Sequence, residues 1–170
     1  VGLTVQSPFA LYRPHAADFD GDGHVDLIDG DHLWLNNQRG GLDQASGAAF
    51  GAYASLPLDF DADGDVDLLL DGRMYANDGS GRMSRQRGAL PTFRFSERAG
   101  AAGDLDGDGD LDLLLAHERL APGSGQNRLL LQGAGAVFAD RTSAALPQRT
   151  EPSVAVELYD AHRDGDLDTY

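Results

Sequence analysis

Apolar positions along the chain gather into short runs, each opened by closely spaced aspartates and closed by turn residues: Val25–Ile28, Val66–Leu70 and Leu111–Ala116. Runs of this length between Asp and Gly read as buried strands rather than helices. A fourth aspartate group precedes Leu167 near the end of the sequence. The pattern predicts an all-β chain in which one strand-loop-strand unit is repeated.

The aspartates that open the runs share one spelling, Asp-x-Asp-x-Asp-Gly-x-x-Asp. Its copies are Asp18 to Asp26, Asp59 to Asp67, Asp104 to Asp112 and, with a change, Asp160 to Asp168. In the first three, carboxylates stand at loop positions 1, 3, 5 and 9: Asp18, Asp20, Asp22 and Asp26; Asp59, Asp61, Asp63 and Asp67; Asp104, Asp106, Asp108 and Asp112. Gly at position 6 permits the sharp turn, and position 7 (His24, Asp65, Asp110, Asp166) is expected to offer its backbone carbonyl. The fourth copy holds Asp160, His162, Asp164, Asp166 and Asp168, with His162 replacing the carboxylate at position 3 and Arg163 beside it. All twenty residues are candidate metal positions.

Ligand hardness selects the ion. Carboxylates, a carbonyl and water make about six to eight oxygens on a flexible loop, which suits Ca2+ better than Mg2+. Zinc would call for Cys or His, and the chain has no Cys and five scattered His. Solvated Asp/Gly turns are the plain alternative, and four matching copies argue against it. Three sites are expected to bind Ca2+, and the fourth to bind it more weakly.

Loop spacing separates the possible scaffolds. First positions lie 41, 45 and 56 residues apart, the range of propeller blades. An EF-hand would carry Glu at position 12 and then a helix, but here position 12 is Asp29, Leu70 or Leu115. Without cysteines, a thrombospondin-type calcium repeat is excluded as well.

These residues resemble the FG-GAP/VCBS repeats that build the β-propeller of integrin α-subunits and of many bacterial surface and secreted proteins. Such repeats run from a strand through an Asp-rich loop to a second strand, an Asn-x-Leu-Tyr-x-Asn-x-Gly strand and turn, and a Phe-x-Asp-x-Thr strand. The third unit is similar almost throughout, with Asn127–Leu131, Gly133–Gly135 and Phe138–Thr142 in those places. The first unit has the segment from His32 to Ser46 there, and the second the segment from Arg73 to Gly88. Phe50-Gly51 stands where the FG element belongs. The resemblance implies four-stranded antiparallel blades, about three and a half of them: repeats at about 1–47, 48–92 and 93–147, and an incomplete one at about 148–170. Because such a set cannot close a ring, further blades of a longer polypeptide, a second copy or a protein partner is expected to complete it.

Charge narrows the partners. The formal net charge is −15, with no Lys among the 13 basic residues, which argues against nucleic acid. No run of ~20 apolar residues suggests a membrane span and no signal peptide is evident. Asp loops of this kind fill more readily at extracellular calcium levels than in resting cytosol, so a secreted, periplasmic or cell-surface location is expected.

Trp34 and Tyr75 fall at equivalent places in the third strands, with Leu130 in the third unit. Stacking on carbohydrate is one reading, but their common register favours packing within a blade. Arg82, Arg85, Arg87, Arg94 and Arg98 form the one basic cluster and are read as balancing nearby aspartates, with a partner's acidic face as the alternative. No catalytic constellation stands out, and carboxylates committed to a metal are poor general bases. The expected function is non-catalytic: a calcium-binding module for extracellular protein binding, adhesion or complex assembly. The alternative is a scaffold or carbohydrate-binding part of a larger secreted enzyme or lectin.

Overall fold

In the computed structural model the described residues are 14–29, 32–49, 55–92, 97–117, 126–148, 153, 155–160 and 167–169, the side chains of 46–49, 97–98 and 168–169 excepted. The chain divides into two compact units, residues 1–86 and 87–170.

The first unit holds two antiparallel sheets of four strands, each a meander in chain order. One consists of β1 (His15–Ala17), β2 (Asp26–Asp29), β3 (His32–Asn36) and β4 (Leu42–Ala49). The other consists of β5 (Ser55–Leu58), β6 (Asp67–Leu70), β7 (Arg73–Asn77) and β8 (Met83–Gln86). In the second unit a third such sheet follows, with β9 (Glu97–Gly103), β10 (Asp112–His117), β11 (Arg128–Gly133) and β12 (Val137–Asp140). The two-stranded pair β13 (Leu158–Tyr159) and β14 (Asp168–Thr169) completes that unit.

The three apolar runs become β2, β6 and β10, the second strand of each sheet. β6 is buried at every position, and β10 at all but His117. Burying an aliphatic side chain contributes about 1.5–3 kcal/mol, so these runs are what hold each sheet in place. In the first unit, Phe19 of the first acidic loop and Ile28, Leu33 and Ala45 of one sheet form a single buried cluster with Leu68 and Leu70 of the other. Each acidic loop joins first to second strand, and so lies at one end of its own sheet.

Trp34, Tyr75 and Leu130 do share a register. Each is paired with the leucine at loop position 10, namely Leu27, Leu68 and Leu113. Leu130 is fully buried and the two aromatics are partly buried.

Two details depart from the sequence reading. The Phe-x-Asp-x-Thr segment does not remain a strand to its end. β12 stops at Asp140, and Thr142 begins the one-turn helix α1 (Thr142–Ala145). The buried Thr142 hydroxyl accepts the Leu129 N–H at 3.0 Å, which pins that turn to β11. The arginines are the second departure: among the described residues Arg82, Arg85 and Arg87 are exposed and form no ion pair, and only Arg82 has a resolved effect on an aspartate, Asp78. Arg94 lies outside the described residues, as does the Arg98 side chain. Among the described residues an ion pair joins Arg128 to Asp140 across β11 and β12, at 2.9 Å.

Candidate metal centres

Each acidic loop is first shaped by its own side chains. The carboxylate at position 1 accepts the N–H of the glycine at position 6: Asp18 from Gly23 at 2.8 Å, Asp59 from Gly64 at 3.1 Å, Asp104 from Gly109 at 3.0 Å. The carboxylate at position 5 accepts the N–H of position 7, with Asp22, Asp63 and Asp108 bonded at 2.8 to 2.9 Å. Two left-handed residues make the loop fold back on itself, at positions 4 and 6. Five of these six are glycines, and the sixth is Ala62 with φ +59°.

Position 9 has a task that its place in the motif does not reveal. Asp26, Asp67 and Asp112 are fully buried. One oxygen of each accepts the N–H of loop position 2, from Phe19, Phe60 and Leu105, at 2.8, 3.0 and 2.8 Å. The other accepts a backbone N–H at or near the end of the third strand, from Asn36, Asn77 and Gln132, at 2.7, 2.8 and 2.9 Å. Each carboxylate thereby ties its loop to the sheet, with charge-assisted bonds on both oxygens.

Three sets of carboxylates converge so that their ligand atoms lie within 4.8 Å of one another: Asp18, Asp20 and Asp22; Asp59, Asp61 and Asp67; Asp104, Asp106 and Asp108. Asp63, Asp26, Asp112 and the side chains at position 7 (His24, Asp65 and Asp110) stand outside these sets. Of the fourth loop, Asp160 is described, while His162, Asp164 and Asp166 and the Asp168 side chain lie outside the described residues.

Crowded like charges leave their mark. Burial, then Asp26 and Asp22, raise Asp20 above the ordinary carboxylate range. Asp61 is raised by burial and by Asp63 and Asp59, and Asp106 by burial and by Asp108 and Asp112. Burial pushes Asp67 up to about 6, against the opposing N–H bonds from Asn77 and Phe60. Asp22 moves the other way, because the Gln38 side chain reaches back to donate to it at 2.7 Å.

The donor set fits a hard cation. It is all oxygen, anionic and partly preformed, and the buried Oδ1 of Asp59 has no hydrogen-bond partner. A buried carboxylate oxygen left without a donor is costly unless something positive faces it. The residues present would hold such an ion through positions 1, 3 and 5 in the first and third loops and through Asp59, Asp61 and Asp67 in the second.

Sequence reasoning assigned no role to Asn36, Asn77 or Gln132. A signal was available: in the first two units the asparagine follows position 9 by ten residues, as the hydrogen bonds reflect. In the third unit a longer β10–β11 connection moves the equivalent residue to Gln132.

The sequence model of the FG-GAP-like repeat family matches residues 59–115 and 104–170. Each match begins on the first aspartate of one loop and runs through the next. No curated protein matches the chain. Among the described residues, no helix is long and apolar enough to cross a membrane.

Proposed function

The chain belongs to the FG-GAP-like repeat family, and from that premise we propose that it is a calcium-stabilised β-propeller module that binds other macromolecules outside the cytoplasm and is not itself an enzyme. One observation carries the reading: a cluster of three aspartates recurs at the corresponding end of three sheets, with their ligand atoms drawn within 4.8 Å of one another. A bound cation would offset such crowding at all three, and carboxylate oxygens on glycine-bearing loops favour Ca2+ over Mg2+.

In this reading the ions are structural. Each would tie together the converging carboxylates of its loop and so fix the turn between first and second strand, while the connections at the sheet ends supply recognition. A protein partner or further blades would complete the array. The partly buried aromatics at the third strands favour packing over sugar stacking, since each faces a leucine of its own sheet.

Thermal melts of calcium-stripped protein test this. Added Ca2+ should raise the melting temperature strongly, because a ligand at a hundredfold excess over its Kd contributes about 2.7 kcal/mol per site. Mg2+ should do much less. A melting temperature indifferent to calcium overturns the reading.

A further inference from the structure

We propose that Asn77 couples the first two calcium sites, so that filling one tightens the other. The inference rests on the calcium reading above and concerns a residue outside the ligand sets.

Asn77 is buried at the end of β7, and every polar group of its side chain is engaged. Its N–H donates to Asp67 Oδ1 at 2.8 Å, within the second cluster. Its side-chain Oδ1 accepts the Gly81 N–H at 3.1 Å. Its Nδ2 donates to the Val66 carbonyl at 3.0 Å and, across to the first acidic loop, to the Phe19 carbonyl at 2.8 Å.

Phe19 lies between Asp18 and Asp20, two members of the first cluster. Its carbonyl belongs to the peptide group that leads into Asp20. Its own N–H, in the peptide group leading out of Asp18, donates to Asp26 Oδ2 at 2.8 Å. An unbroken buried path therefore runs from Asp26 through Phe19 and Asn77 to Asp67. Asn77 positions the backbone between two ligands of the first site and, through its N–H, the carboxylate of a ligand of the second.

The consequence is thermodynamic. A cation that orders Asp67 also orders Asn77, and then less conformational freedom remains to be lost when the Phe19–Asp20 peptide group is fixed around an ion in the first site. Linkage makes the effect reciprocal. One buried neutral hydrogen bond sets the scale at about fivefold in affinity.

The amides of Gly23 and Gly64, each bonded to the position-1 aspartate of its own loop, report the two sites separately in a calcium titration of the full chain followed by NMR. Disabling the second site with Asp61→Asn should weaken the Gly23 midpoint about fivefold. In an Asn77→Ala background the same change should leave that midpoint unmoved. A Gly23 midpoint indifferent to Asp61→Asn in the otherwise unaltered protein overturns the coupling, as does an equal shift with Asn77 absent. If Asn77→Ala does not fold, Asn77→Ser takes its place, and the Asp61→Asn comparison still decides alone. Failure of both glycine amides to respond to calcium in the unaltered protein overturns the calcium reading instead.

Discussion

Asp67 gives the sharpest test of how the sites store charge. Its carboxylate is wholly enclosed, and burial holds it at about 6 instead of 3.8. Between those values the calcium-free folded protein keeps a proton that the unfolded chain has already released. Stability must therefore fall as pH rises from about 4 to about 6, and level off above. Two pH units of displacement correspond to about 3 kcal/mol. Asp20, Asp61 and Asp106 are displaced the same way and steepen the fall. Asp22, Asp78 and Asp140 are displaced downward, so their contribution is lost only below 3.8, outside this window. Calcium inverts the slope, because the ion competes with the proton for Asp67 and is held by the ionised form. Urea unfolding of calcium-stripped and calcium-loaded protein across this range measures both limbs. Asp67→Asn, close in volume and without charge, should remove most of the calcium-free slope. Calcium-free stability that climbs with pH across the window, or a slope unchanged in Asp67→Asn, refutes the reasoning.

Other perturbations follow from the loops. Ala62→Gly relieves a left-handed alanine and should stabilise the protein by about 1 kcal/mol in thermal melts. Gly79→Ala should cost more than Gly88→Ala by chemical denaturation: both have φ well above zero, but a Cβ on Gly79 would stand 2.8 Å from the Asp65 carboxylate, while Gly88 faces open space. Asp108→Ala should reduce stability in calcium more than Asp164→Ala, since the third loop has every carboxylate and the fourth has His162 at position 3; equal losses would contradict that ranking.

Local features were legible in the sequence, and relations between sheets were not. β2, β6 and β10 could be read because a short aliphatic run between Asp and Gly has few other ways to be buried. The turn chemistry was legible too, in the glycine at position 6 of each loop. What escaped was the tie that Asp26, Asp67 and Asp112 each make between loop and sheet, because a motif that names a ligand does not say which backbone groups its oxygens hold. The bond from Asn77 to Phe19 spans 58 residues, and no local period carries information at that range. The arginines misled for a related reason: charge balance along the sequence does not decide which side chains meet, and among the described residues the exposed Arg85 and Arg87 pair with no aspartate.

Counting the ions tests the central claim most directly. Native mass spectrometry of the folded chain in calcium, repeated with Asp20→Asn, Asp61→Asn and Asp106→Asn, should find at least three bound Ca2+, with one lost for each substitution. A chain that remains folded and carries no calcium, or one whose calcium count ignores all three substitutions, would contradict it.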